Sequence, residues 1–430
     1  MTNIPGRVLI APSGFKESLS AEQVADAIAA GVRRALPGAV IDRVPVVDGG
    51  EGSARTLAAA TGGRILTRLV TGPVGNRVSA ELALLGGPAE GTAVVEMAQA
   101  AGLRLVPADL RDPGATTTAG VGELILAALD AGARRILVGC GDSGTSDGGA
   151  GALQALGARI RDGAGADVGP GGSALADVAS LDLSGLDPRL AEVEILVACN
   201  PHNVLTGPRG VARVFGPQKG ASPEQVEVLD AALARWAGVL HRDGVLPRGH
   251  DLATGPCTGA SGGLGAGLAG ALGARLMPRF EVMLDHIDLD ALIARADLVI
   301  TAEGAVDEQT PHGKVPAEIA RRASAQGTPV IALAGTIGRR ARRVHDIGIG
   351  AVLSILSLPL SLEESISRCA PLLTEAAERA LRLILIGCQL GQAAPAAPVR
   401  DAREPAEPFL AASIAEPALA APALQLQSAS

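Results

Sequence analysis

The chain has 430 residues, a formal net charge of −8 and 47% hydrophobic residues, which is length enough for two domains and a large buried core. The acidic balance, with 1% aromatic residues and no tyrosine, argues against nucleic acid as a partner, since phosphate-neutralising and base-stacking side chains are both scarce. No apolar stretch is long enough for a membrane span and no signal-peptide pattern opens the chain, so a cytoplasmic protein without a membrane partner is expected. Five cysteines, an odd number with no CxxC pair, speak against a disulfide framework and a structural zinc site.

In chain order, Val8-Leu9-Ile10-Ala11 reads as a first strand, followed by Pro12-Ser13-Gly14-Phe15-Lys16. Ser20-Ala21-Glu22-Gln23 is a capping box, and Val24, Ile28 and Val32 continue it at helical spacing. A second strand, Val44-Pro45-Val46-Val47, delivers Asp48-Gly49-Gly50-Glu51-Gly52, and this β-α-β opening implies a parallel pair. From about Thr71 the texture shifts to turns and strand-like pieces such as Ala93-Val94-Val95-Glu96. Ile136-Leu137-Val138 leads to Gly139-Cys140-Gly141-Asp142-Ser143-Gly144, and Ile195-Leu196-Val197-Ala198 leads to Cys199-Asn200. A second capping box at Ser222 starts the helix that carries Trp236. After about Asp285, strand and helix alternate again through Cys388, with Asp297-Leu298-Val299-Ile300-Thr301 leading to Ala302-Glu303-Gly304-Ala305-Val306-Asp307. The expected architecture is an α/β domain of residues 1–70 plus 285–388, interrupted by an inserted α/β domain of residues 71–284. The Ala/Pro-rich stretch 389–430 reads as a mobile tail.

The carboxylates have a pattern. Asp48, Asp142 and Glu303 each lie at or just beyond the end of a short apolar run, with glycine beside them. Such runs read as strands of a parallel sheet, whose carboxyl ends border the ligand crevice of open α/β folds. Acids there, beside glycines that admit a ligand to the backbone, point to metal-assisted chemistry on a phosphate. The competing reading is that Asp, Asn, Ser and Gly merely form turns and caps. No Gly-x4-Gly-Lys-Ser/Thr motif occurs. The letters of a dinucleotide fingerprint at Gly265, Gly267 and Gly270 follow no strand and read as close helix packing. Thr258-Gly259-Ala260-Ser261-Gly262-Gly263-Leu264-Gly265 reads either as an anion loop opening a helix or as a tight turn.

Several blocks carry a resemblance. Ala11-Pro12-Ser13-Gly14-Phe15-Lys16, Asp48-Gly49-Gly50-Glu51-Gly52, Ser146-Asp147-Gly148-Gly149, Phe215-Gly216-Pro217-Gln218-Lys219-Gly220, Ala260-Ser261-Gly262-Gly263 and Gln309-Thr310-Pro311-His312-Gly313-Lys314 occur in that order. In this the sequence resembles the type 1 glycerate kinase family, the bacterial glycerate 2-kinases. The resemblance implies a flavodoxin-like domain split by an inserted α/β domain, with the active site in the cleft between them. It also implies ATP-dependent, Mg²⁺-assisted phosphorylation of D-glycerate, usually at the 2-hydroxyl. The pattern departs at Ser13-Gly14, at 141–147 and at Ala305, where the family carries an arginine; that last loss puts the acceptor in question more than the reaction type.

On this reading Asp48, Glu51, Glu303, Asp307 and Lys16 are the catalytic candidates, with Asp48 and Glu303 also candidates to hold metal. Ser143, Asp147, Asn200, Arg209, Lys219, Gly262, Gly263 and Lys314 are candidates for substrate or phosphate. Arg209 and Arg213 are expected to replace the missing arginine. A Mg²⁺-dependent phosphatase, a kinase for a related hydroxy acid and a non-catalytic anion binder are the rival functions. The oligomeric state is not legible in the sequence.

Overall fold

The computed structural model describes residues 4–15, 18–247, 249–284 and 287–392. Lys16 and the tail from residue 393 therefore lie outside the described residues. Thirteen strands fall into two large sheets and one small pair among those residues.

The first sheet contains β1 (Arg7–Ile10), β2 (Val40–Arg43), β11 (Leu298–Val306), β12 (Val330–Ile337) and β13 (Ile349–Ser354) in the order β13-β12-β11-β1-β2. Every pairing in it is parallel. Taken in chain order within the sheet, this is the 2-1-3-4-5 arrangement of flavodoxin-like folds. The strands are apolar on both faces because helices cover both. Val8, Ile10, Leu298 and Ile300 face one core with Val24 and Ile28, while Leu9 and Val299 face another with Ile293 and Ile319. The capping box at Ser20 is formed and starts α1 (Ala21–Ala35).

The second sheet has the order β10-β9-β6-β5-β4-β3. Its strands are β3 (Arg64–Thr71), β4 (Arg77–Leu84), β5 (Thr92–Glu96), β6 (Arg135–Gly139), β9 (Glu194–Cys199) and β10 (Arg275–Pro278). Strands β5, β6, β9 and β10 run parallel, and β4 and β3 add antiparallel edges. β7 (Arg159–Asp162) and β8 (Val178–Asp182) form the small antiparallel pair. Residues 64–70, assigned by sequence to the first unit, pair instead with β4, so the chain enters the second sheet before β3. The reason is pairing: all eight residues of β3 find partners on β4.

Two strand ends differ from expectation. β2 stops at Arg43, yet Val44 N still donates to Ile10 O (2.8 Å) and Val46 N to Pro12 O (2.9 Å). Alternate residues of a parallel pair bond to the same neighbour, so Pro45, with no N–H to give, falls where no donation to the first strand is needed, and the contact runs on to Val46, two residues before Asp48. β11 runs past Thr301 to Val306, because Glu303 pairs with Ala334 and Ala305 with Thr336. Glu303 thus sits inside a strand, with Asp307 just beyond it.

The carboxyl ends of the sheets meet where side chains are missing. A Cβ on Gly139 would overlap the Gly49 carbonyl oxygen, and one on Gly141 would come within 2.8 Å of the Gly50 Cα. That closeness brings the loop bearing Asp48 against the loop bearing Asp142.

Candidate active site

Acids and bases from both sheets converge at this junction. Asp48, in the crossing from the first sheet to the second, is paired through Oδ2 with Arg279 Nη1 at 2.8 Å. Arg279 directly follows β10 in the return crossing, and its Nη2 donates to the Gly313 carbonyl oxygen. The next residue, Lys314, reaches Glu303 Oε1 at 3.3 Å and Asp307 Oδ1 at 3.6 Å, and donates to Ala305 O at 3.1 Å. Asn200, just beyond β9, donates to His312 O at 3.3 Å and so ties the second sheet to the same loop.

Glu303 is the most perturbed acid of this group. Burial pushes its carboxyl up to about 7 against the opposing pull of Lys314, and Asp48 and Asp307 add negative charge in the same sense. Its Oε2 is buried with no hydrogen-bond partner. Asp307 has a second duty, because Oδ1 accepts from Gln309 N at 2.8 Å and shapes the turn after β11.

A second cluster surrounds Lys219. This side chain is almost wholly buried and donates to Ser143 Oγ (2.9 Å) and Thr145 O (2.6 Å), and burial pushes it down to about 7. The loop it grips is pinned from the far side by Trp236, whose Nε1 donates to Gly148 O at 2.9 Å. Gly262 and Gly263 have φ of 70° and 94°, and a Cβ at 262 would overlap the Thr145 carbonyl. The glycine loop and the 142–149 loop therefore lie one against the other, with Gly148 N donating to Gly262 O (3.0 Å). The hydroxyls of Thr145, Ser146 and Ser261 are buried there without partners.

Other predicted residues have different surroundings. Glu51 is exposed and pairs with Arg104 at 3.0 Å, away from the Asp48–Arg279 pair. Asp147 is fully buried and accepts from Thr118 N and Oγ1 (both 2.8 Å), Gly149 N (3.1 Å) and Gly151 N (3.2 Å). Four donors from its own fold occupy that carboxylate, which caps the surrounding helix starts. Arg213 is held by Glu227 and Asp230, and Arg209 is exposed, with no ion pair among the described residues.

Sequence reasoning missed Arg279. It follows the short run Leu276-Met277-Pro278 at once but has no glycine beside it, so the signature that marks the acids is absent there. Glu96 shows the reverse. It ends an apolar run, yet its buried carboxylate accepts from Gly52 N and Ala54 N and caps α2 (Ser53–Thr61). The same sequence signature yields a cap in one place and an open acid in another.

Two sheets whose carboxyl ends converge on acids, lysines and glycine loops define an α/β enzyme with its site at the strand ends. The profile of the glycerate kinase family matches residues 8–385. Glycerate kinase from Bacillus subtilis (strain 168) is 45% identical over 386 residues, covering 90% of this chain and 98% of that one. Glycerate 2-kinase from Escherichia coli (strain K12) is 45% identical over 359 residues, covering 84% and 93%. A crystal structure assigned to glycerate kinase 2 from Salmonella typhimurium LT2 superposes with a TM-score of 0.74 at 44% identity, covering 89% of this chain and 99% of that one. The chain belongs to the glycerate kinase family, and is an enzyme of the kinase class.

Proposed function

We propose that this enzyme transfers the γ-phosphoryl group of ATP to the 2-hydroxyl of D-glycerate, giving 2-phosphoglycerate and ADP. The observation that carries the reading is Glu303: a carboxyl held near neutrality, paired with Lys314 on one oxygen and unpartnered on the other. A group poised there suits removal of a hydroxyl proton at neutral pH. The hydroxyl oxygen attacks the γ-phosphorus, the bond to the ADP oxygen breaks, and Glu303 takes the proton. Lys314 holds Glu303 and Asp307 in place against their mutual repulsion. Lys219 and the hydroxyls of Thr145, Ser146 and Ser261 are read as the phosphate-binding part.

Mg²⁺ fits the oxygen donors present. The described residues contain no cage of three or more ligands, but Mg²⁺ commonly takes one or two carboxylates together with water and substrate phosphate. Asp48 is the group that would hold it, which leaves the unpartnered Glu303 Oε2 free to take the proton. When bound it would neutralise charge on the transferred phosphoryl group. The two sheets are read as two domains flanking this site, in a cytoplasmic enzyme.

Phosphorus NMR of the protein with ATP, Mg²⁺ and D-glycerate tests the reading. The expected result is a new phosphomonoester signal matching 2-phosphoglycerate together with ADP. Free phosphate released from added 2-phosphoglycerate without ATP, and no monoester formed, would establish the phosphatase instead. A 3-phosphoglycerate signal would move the reaction to the other hydroxyl.

A further inference from the structure

We propose that Arg279 binds the carboxylate of the acceptor and so sets specificity for a hydroxy acid over a neutral alcohol. The inference rests on the kinase reading for the identity of the acceptor, but its support is geometric. The junction presents Asp48, Glu303 and Asp307 to any incoming anion, and among the described residues Arg279 and Lys314 are the basic side chains bonded into that group. A cluster of carboxylates repels an incoming carboxylate unless a cation with spare donors meets it.

Lys314 donates to the Ala305 carbonyl at 3.1 Å and is ion-paired with Glu303 at 3.3 Å and Asp307 at 3.6 Å, so two carboxylates already share its charge. Arg279 has five N–H groups, of which the contacts to Asp48 and Gly313 use two. Three N–H groups of the planar guanidinium remain for a carboxylate, a donor geometry in which arginine surpasses lysine. The guanidinium is held rather than adrift: its side chain is 14% exposed, and its central carbon lies 5.0 Å from the Phe280 ring centre. It also reaches the loop that Lys314 ties to residue 305, where alanine stands in place of an arginine. One arginine is absent from that loop, and another, coming from the second sheet, contacts it.

Calorimetric binding of D-glycerate and steady-state kinetics on Arg279→Met, Arg279→Lys and the double variant Arg279→Met/Ala305→Arg test the proposal. Losing a charge-assisted hydrogen-bonding pair should weaken D-glycerate binding and raise its KM by on the order of 10–100-fold, while KM for ATP stays within about twofold. Arg279→Lys should recover part of the loss, and arginine at 305 should recover more than half of it on a logarithmic scale. Unchanged D-glycerate affinity in Arg279→Met would overturn the proposal. So would an equal rise in both KM values with a lowered melting temperature, which would make Arg279 only a prop for Asp48. Binding that depends on Arg279 without turnover in the unmodified enzyme would overturn the kinase reading alone. Turnover with Arg279-independent binding would overturn this inference alone.

Discussion

Glu303 is subject to opposed forces whose balance is measurable. Burial favours its neutral form more than Lys314 favours the charged one, so the folded state holds the proton up to about pH 7, whereas the unfolded chain releases it near 4.5. Between those values the folded state binds more protons, so this group's stabilising contribution is complete below about pH 4.5 and is lost as pH rises through about 7. Activity should have the opposite slope, rising through about pH 7 as the base ionises. Glu303→Gln should lower kcat by about 10²–10⁴-fold and abolish that limb of the pH profile. Its melting temperature should gain on the unmodified protein between pH 5 and pH 8, because glutamine has no charge to bury. A flat pH–rate profile between pH 6 and 8, or near-normal kcat in the variant, would remove Glu303 from the role of base. At this scale the sequence was informative about residue type and poor about state. Glu303 and Glu96 both end apolar runs in the chain, and only the donors around each one separate an open acid from a cap.

The elements that hold the site depend on close backbone approach. α1 packs against the helix Cys369–Gln392 at Gly31, where a Cβ would overlap the Thr374 carbonyl and lie 2.7 Å from the Ala377 Cβ. Thr374 Oγ1 bridges the same contact by donating to Ala27 O at 2.9 Å. Gly31→Val should force the helices apart and destabilise the protein by about 1–3 kcal/mol, read as a lower urea midpoint. An unchanged midpoint would mean that the two helices are not locked at this point. The capping box at Ser20, the strand periodicities and the helix bearing Trp236 were legible because each depends on neighbours within a few residues; at Ser222 only the cap itself forms, since the Gln225 side chain donates to Asp112 instead. The extension of β11 through Glu303 was not, since its cause is β12, some thirty residues downstream.

At the scale of the whole molecule, two crossings connect the sheets, one between β2 and β3 and one between β10 and β11. Asp48 lies on the first and Arg279 on the second, so a single ion pair links them. A cavity of about 780 Å³ between Thr61, Ala89, Phe280, Leu284, Asp288 and Arg322 leaves space beside these crossings and contains none of the site acids. Phosphoryl transfer to an alcohol must keep water away, which a hinge can do by closing the halves on their substrates. Small-angle scattering should show a smaller radius of gyration when a non-hydrolysable ATP analogue and D-glycerate are added together than with either alone. Superimposable curves would exclude closure in solution.

What the sequence determined by itself was the kind of fold and the neighbourhood of the chemistry. Buried strands followed by glycine and acid, and helices started by capping boxes, are local consequences of hydrophobic period and backbone hydrogen bonding. The partners were decided only by tertiary structure. Arg279 stands 231 residues from Asp48 in the chain, and Asn200 is 112 from His312, yet each pair is in contact. Which acid stays open, which becomes a cap and which arginine faces the acids depend on groups brought together by sheet packing. Burial and charge act through space, and short-range sequence patterns do not encode distance across a fold.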